Sequence, residues 1–376
     1  INVEKLTQGF LSENRMGFEE VAYLLLFGNL PNESELEELK DMLANYRQSL
    51  PTSFVRDIIM KAPSVDLMNT LGRSVLTLYS YDDRADDITT ENVLRQCLQL
   101  VALFPMFAVY GYQAACYFHE GTSFFLHPPK AEYSTAENIL HMLRPNSKFS
   151  TLEAKILDIA LVLHAEHGGG NNSTFTDHVV TSSGTDTYAA ISAALGSLKG
   201  PRHGGANKKV SQMFDDMKQK VKNWEDEDEV ESYLIALLNQ QAFDRAGLIY
   251  GMGHAVYSKS DPRADLLSRC AADLAKEKGF EEDFELYSTV AALAPEIIAS
   301  KRKMYKGVSP NVDFYSGLIY QMLELPLELF TPIFAIARVV GWSAHRIEEI
   351  QNAGKIIRPS YISVKPEREY VPISER

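Results

Sequence analysis

Three short segments set a proton-handling side chain beside glycines or turn residues, where backbone can approach a ligand closely. They are Gly200-Pro201-Arg202-His203-Gly204-Gly205-Ala206-Asn207, Gly251-Met252-Gly253-His254 running on to Asp261-Pro262-Arg263, and Asn311-Val312-Asp313-Phe314-Tyr315-Ser316-Gly317. Between them they supply two imidazoles, a carboxylate and a guanidinium. That set suits making a carbon nucleophile and aiming it at an acidic acceptor.

His203 sits in a glycine turn just before a helical pattern that starts near Ala206. A helix N-terminus disfavours imidazolium, so a neutral ring there can donate to a carbonyl oxygen that gains charge as an enolate forms. A histidine that merely caps the helix would look the same. Asp313 lies among Val312, Phe314 and Tyr315. Apolar surroundings raise a carboxyl pKa and make a better general base, although an isolated Asp here reads equally well as a helix N-cap. A carboxylate is a weak base for a carbon acid and needs a partner such as His203 on the forming enolate.

His254 is framed by Gly251 and Gly253, with Arg263 following at the end of Asp-Pro-Arg. An α-keto acid suits such a pair: the ring polarises the ketone while the guanidinium grips a carboxylate in bidentate fashion. Gly-x-Gly alone is a weak phosphate-loop signal, and no convincing strand precedes it. His164-Ala165-Glu166-His167 runs into Gly168-Gly169-Gly170-Asn171, with His178 not far beyond. The histidines could be read as a zinc set, but the spacing is not His-Glu-x-x-His and no carboxylate or cysteine completes it. A ligand-contacting His167 at the mouth of the glycine turn, with His164 structural, is the preferred reading.

These residues hang on a chain that reads as helix after helix. Phe18 to Phe27 is apolar-rich and stopped by Gly28 and Pro31, and Asn32 with Glu35 forms a capping-box signature ahead of the Leu36, Leu39, Leu43 stripe. Similar patterns cover 92–104, 136–143, 152–165, 187–198, 206–221, 229–238, 262–278, 284–303, 313–323 and 329–350. Period-2 alternation is almost absent outside Tyr361–Val364, and no solenoid repeat is evident. The acidic run Glu225 to Glu229 reads as a solvated helix start. An all-α fold follows.

At 376 residues, with 45% hydrophobic and 23% charged side chains, the chain can bury a sizeable core. A net charge of −13 argues against a broad nucleic-acid surface, so an anionic ligand must be held by local arginines. The apolar run Leu100–Tyr112 contains Pro105 and is too short for a membrane span. The three scattered cysteines, Cys97, Cys116 and Cys270, have no metal spacing and favour a reducing cytoplasm. No signal or transit pattern is legible, and a chain opening at Ile1 is expected of a processed or trimmed end.

Taken in order, His164–Asn171, Gly200–Asn207, Gly251–Arg263 and Asn311–Gly317 resemble the signatures of the citrate synthase family. Phe18–Leu26, Gly28-Asn29-Leu30-Pro31 and Gly341-Trp342-Ser343-Ala344-His345 extend the resemblance over nearly the whole chain. It implies an all-helical, two-domain homodimer, with a large domain over about 1–203 and 319–376. A smaller domain over about 204–318 would close on oxaloacetate and acetyl-CoA. His203 would then hydrogen-bond the thioester carbonyl, Asp313 would take the methyl proton and His254 would polarise the ketone. His167, Asn171, Arg263 and Arg338 would hold oxaloacetate, with Phe334 alongside and Arg358 reaching in from the other subunit. Gly251, Gly253 and Lys259 would face CoA. The resemblance implies no metal and no cofactor, and neither a nucleic-acid nor a membrane partner.

Some positions depart from the family pattern: Arg202 for leucine, Lys208 for glutamate and Ser258 for a basic residue. CoA phosphate contacts then fall to Lys259 or to Lys301, Arg302 and Lys303. A 2-methylcitrate synthase using propionyl-CoA is the nearest alternative. A citryl-CoA lyase domain fits less well because the chain carries no CoA-ligase region. A non-catalytic helical dimer that binds tricarboxylates is the alternative from another class, and Asp313 argues against it, since a binder gains nothing from a carboxylate near an anion.

Overall fold

A computed structural model describes residues 2–253, 260–301, 307–352 and 354–376. Among these residues there is no β-strand, only one isolated antiparallel bridge between Met252 and Pro310. The helices run in order as α1 (Val3–Ser12), α2 (Phe18–Phe27), α3 (Glu33–Ser49), the single turn α4 (Thr52–Phe54), α5 (Leu67–Leu78), α6 (Thr90–Ala115), α7 (Thr135–Leu143) and α8 (Thr151–His164). The second half continues with α9 (Asn172–Thr181), α10 (Thr187–Leu198), α11 (Ala206–Lys220), α12 (Glu227–Leu238), α13 (Pro262–Lys278), α14 (Glu281–Lys301), α15 (Val312–Met322) and α16 (Phe330–Asn352).

Local chemistry sets most of these boundaries. Gly28 takes the left-handed conformation after α2, with φ of 84°. Asn32 and Glu35 form a reciprocal capping box on α3, as the sequence predicts. Asp226 caps α12, whose first turn is all acidic. The N-cap of α15 is Asn311 rather than Asp313. Asp313 is therefore released from a capping duty, one of the two readings its sequence allowed. Tyr361–Val364 forms no strand and lies exposed in a tail without helix from 354 to 372.

Helices α6 and α16 run side by side through the core, with α8, α9 and α10 packed around α16. Pro105 sits inside the continuous 26-residue α6 rather than ending it. Helical segments Thr90–Glu120 and Leu327–Asn352 are long and apolar enough to cross a bilayer, longer than the apolar run in the sequence suggests, but their apolar windows are 83% and 78% buried. The core accounts for their composition. Helices α11 to α15 pack chiefly on one another, and α13 and α15 also reach α8. The expected domain limit at 318/319 falls inside α15, which runs unbroken from Val312 to Met322.

Candidate active site

One face of α16 organises the site. Phe334, Arg338, Gly341 and His345 recur at helical spacing and look onto the end of α8 and the glycine turn that follows. Gly341 permits the approach, since a Cβ there would fall 2.4 Å from the Ala165 carbonyl oxygen. Arg338 is buried, its Nε donating to the His164 carbonyl at 2.8 Å and its guanidinium carbon 4.7 Å from the centre of the Phe334 ring. Burial lowers its pKa to about 10, against the opposing pull of Glu166. Its Nη1 is buried without a hydrogen-bond partner. That is a costly arrangement for a cation unless an anion completes it.

The His164 ring packs 4.7 Å from Phe334, with both nitrogens unpartnered. Burial, then the charges of Arg263 and Arg338, hold its pKa well below the ordinary value, so the ring is neutral. It is fully buried. His167 follows, partly buried at the mouth of the turn.

Asn171 caps α9, and its Oδ1 takes the Ser173 hydroxyl at 2.9 Å. Ser173 Oγ also accepts from Trp342 Nε1 at 3.2 Å and lies 3.0 Å from His203 Nε2. One hydroxyl thus ties the glycine turn, α16 and the histidine turn together. The His203 pKa is lowered by burial and then by Arg338, which keeps the ring neutral. A cleft of about 550 Å³ opens here, lined in part by Asn171, Arg202 and His203.

The remaining predicted residues come from α13 and α15, which pack on each other. Arg263 is buried at the start of α13, with its Nη2 2.8 Å from Asp261 Oδ2 and its Nε 3.0 Å from Oδ1. Gly251 and Gly253 are zipped onto the strand-like run before α15: Gly253 N donates to Ser309 O and Asn311 N to Gly251 O, each at 2.8 Å. Asn311 Nδ2 also donates to Gly253 O at 2.8 Å, while Asn311 Oδ1 accepts from Asp313 N at 3.0 Å. Gly251 has φ of +80°, and a Cβ would lie 2.9 Å from both Phe314 and Val210. Its glycine is required by packing as well as by conformation.

Asp313 sits in the first turn of α15 with its pKa raised to about 6 by burial. Arg263 and Arg338 pull it down while Asp261 pushes it up. The electrostatic reach of Arg338 thus includes His203, His164, Glu166, Arg263 and Asp313. Residues from five separate stretches of sequence are thus linked through Arg338, by contact or by charge. The arrangement can hold a neutral imidazole donor, a base of raised pKa and two buried guanidinium groups toward one anionic, enolisable reactant pair.

Contacts or charge link His203, Asp313, Arg263, Arg338, Phe334 and Asn171 in one region of the fold. Arg358 does not join them, because it is exposed on the C-terminal tail. His254, Ser258, Lys259, Arg302 and Lys303 lie outside the described residues. Sequence reasoning gave no role to Glu166, Ser173, Asn311 or Trp342. The pattern Asn171-Asn172-Ser173 before a helix was a signal for the cap of α9, and Trp342 stood in a quoted motif with no partner legible. The zinc set of His164, His167 and His178 does not form, and the described cluster around His178 instead contains His345 and Glu348.

This fold is that of the enzymes that join an acyl-CoA to oxaloacetate. The chain is a member of the citrate synthase family: residues 1–360 match the family described as "Citrate synthase, C-terminal domain". Citrate synthase of Synechocystis sp. is 36% identical over 362 residues, covering 96% of this chain and 84% of that protein. The 2-methylcitrate synthase of Shewanella oneidensis is 33% identical over 376 residues, covering 97% and 89%. Citrate synthase of Thermotoga maritima superimposes with a TM-score of 0.78 at 32% identity over 100% of this chain and 90% of that one. The Thermoplasma acidophilum enzyme, solved as a ternary complex with carboxymethyl coenzyme A and oxaloacetate, gives 0.82 at 28% identity, covering 98% and 91%.

Proposed function

We propose that this chain condenses acetyl-CoA with oxaloacetate and water to give citrate and CoA, the entry step of the tricarboxylic acid cycle. The observation that carries the reading is Asp313, a carboxylate raised to about 6 within the electrostatic reach of two buried arginines, one of which, Arg338, also helps keep His203 neutral. Asp313 takes a proton from the acetyl methyl group as His203 donates a hydrogen bond to the thioester oxygen. The enolate carbon attacks the ketone of oxaloacetate, which His254 polarises and whose oxygen it protonates. Water then cleaves the thioester. Arg263 and Arg338 hold the carboxylates, with His167, Asn171 and Phe334 completing the keto-acid subsite. The steps run on side chains, with acetyl-CoA as substrate and no metal or cofactor assigned to them.

Gly253 and Lys259 are proposed to face CoA, Gly251 serving chiefly to let the turn pack. The segment from about 204 to the end of α15 acts as the mobile domain, closing over oxaloacetate to build the acyl-CoA subsite. The protein works as a homodimer in which the tail carries Arg358 into the neighbouring site. The exposed Tyr361, Ile362, Val364 and Tyr370 of that tail suit burial against another chain. The free cysteines suit a reducing compartment, and the cytoplasm is proposed.

A second reading is favoured by the relatives named 2-methylcitrate synthase at 33% and 32% identity. One extra methylene in an apolar pocket changes discrimination by only about 1–3 kcal/mol. Thiol release with oxaloacetate and either acetyl-CoA or propionyl-CoA decides. Higher kcat/KM with acetyl-CoA is expected. A preference for propionyl-CoA installs the second reading, and no release with either removes both in favour of a binding protein.

A further inference from the structure

Glu166 follows α8 directly, and its carboxylate lies against Gly341 of α16, where a Cβ would collide with Oε2 and sit 3.4 Å from Arg338 Cδ. Burial opposes its ionisation, but His345, the Gly168 N–H and Arg338 outweigh it and hold its pKa below the ordinary value. Glu166 is therefore an anion beside the guanidinium that is proposed to receive a carboxylate of oxaloacetate. Its Oε2 has no hydrogen-bond partner and neither has Arg338 Nη1, although both atoms are buried. The two would satisfy each other if the Glu166 side chain turned toward Arg338. The keto acid would then meet an occupied cation.

The other oxygen prevents this. Glu166 Oε1 accepts from His345 Nε2 at 2.9 Å and from Gly168 N, which fastens the carboxylate to the turn between His167 and Asn171. His345 is held from behind in turn. Its Nδ1 lies 3.1 Å from His178 Nε2 and 3.2 Å from Glu348 Oε2, and His178 Nδ1 donates to Glu349 Oε2 at 2.8 Å. With His345 protonated, both of its nitrogens donate and the whole series matches donor to acceptor. Burial works against that charge, but the hydrogen bond and charge of Glu166, then Glu348, outweigh it and raise the His345 pKa. A neutral His345 leaves either Glu166 or His178 without its donor. The turn itself rests on both rings, since a Cβ on Gly169 would lie 3.4 Å from His178 Nε2 and 3.5 Å from His345 Cε1.

We propose that His345 is a positioning residue for the keto-acid subsite: it holds the Glu166 carboxylate off Arg338 and onto the glycine turn, leaving Arg338 free for oxaloacetate. The inference rests on the reading of Arg338 as an oxaloacetate ligand in a citrate-forming enzyme. It carries a pH signature. The groups facing His345 are Glu166 beyond α8, Asp177 and His178 on α9, and Glu348 and Glu349 on α16. Helix α2 and its cap offer Leu25, Leu26, Phe27 and Gly28 to the cavity beside it, none of them titratable. Because the His345 pKa is raised, its second donor is present below that value and lost as pH climbs through it. Oxaloacetate should therefore bind more weakly on the alkaline side, opposite the acid limb set by Asp313.

The test compares the wild-type full chain with three variants, by calorimetric titration with oxaloacetate and by CoA thiol release across a range of pH. His345→Ala should raise Kd and KM for oxaloacetate roughly 10-fold with kcat little changed, because the freed Glu166 competes for Arg338. Adding Glu166→Gln to His345→Ala should recover most of that loss, since an amide has no charge with which to compete. Damaged packing would gain nothing from the second change, and circular dichroism checks that each variant is folded. His345→Gln keeps an N–H for Glu166 and should stay close to wild type at neutral pH while losing the alkaline rise. Wild-type affinity in His345→Ala, or no recovery in the double variant, overturns the proposal. So does an alkaline rise that persists in His345→Gln, which would belong to Asp177, whose carboxyl burial raises to about 7. A wild type that neither binds oxaloacetate nor releases thiol removes the functional reading itself, and this inference with it.

Discussion

Asp313 and Arg338 each carry a burden that only a reaction or a ligand relieves. Burial raises Asp313 to about 6, above the ordinary aspartate value. The base must be ionised to accept a proton, so kcat/KM for acetyl-CoA should fall as pH drops below about 6. An unperturbed aspartate would delay that fall to about pH 4. A pH–rate profile checks this, and an acid limb near 4 would remove burial as the tuning device. Asp313→Asn should lower turnover by about 10²–10⁴-fold while leaving oxaloacetate binding largely intact, since the change affects the acyl half of the reaction. Arg338 keeps Nη1 buried and unpartnered. Charge-assisted hydrogen bonds contribute about 1.5–3 kcal/mol, so Arg338→Gln should raise the KM for oxaloacetate roughly 10–100-fold. Arg338→Lys, retaining charge but not the planar fork, should fall between. Equal KM values in all three proteins would detach Arg338 from the keto acid.

Among the elements, the junction of α15 with the Gly251–Gly253 turn has the sharpest consequence. Asn311 does two things with one side chain: its oxygen caps α15 at Asp313 N, and its nitrogen holds Gly253 O. Asn311→Ala should cost about 1 kcal/mol as a lost cap and should also lower kcat, because Asp313 and the Gly251–Gly253 turn lose their common anchor. Asn311→Asp keeps the cap but cannot donate to Gly253 O. Melting curves and turnover together separate these roles: stability should recover in Asn311→Asp while kcat stays depressed. Wild-type kcat in both variants would show that the turn is positioned by something else. Most helices on either side were legible because their caps are local chemistry, as with Asn32 and Glu35, or Asp226. Helices α1, α5 and α9 were not read, although Asn2, Asp66 and Asn171 cap them, because their apolar patterns are short or mixed with polar residues.

For the assembled protein, the tail is the open end of the structure. Arg358 is exposed, and Ile357 N donates to Ser182 Oγ at 3.0 Å, which anchors the tail to α9's C-terminal end before it leaves the body. A dimer with Arg358 acting across the interface predicts complementation. Asp313→Asn and Arg358→Ala homodimers should each be inactive. Purified heterodimers should regain activity, because one site then joins an intact Asp313 to an intact Arg358. Verified heterodimers no more active than either parent would place Arg358 in its own subunit's site or in none.

Helical periodicity, caps and glycine turns lay in the sequence because they depend on residues within a turn or two of one another. The candidate chemistry lay there too, since His203, Asp313 and Arg338 are chemically suited side chains in local settings that the motifs made visible. What joins them was not legible. Arg338 biases His203 and Asp313 through space from α16, and Ser173 meets His203 and Trp342 across 30 and 169 positions of chain. Such contacts depend on how helices pack, which in turn depends on small residues at close approaches such as Gly341 and on the Met252–Pro310 bridge. The pairing of His178 with His345 is of the same kind: 167 positions apart in sequence, 3.1 Å apart in the fold, and brought together only because α9 and α16 share a face.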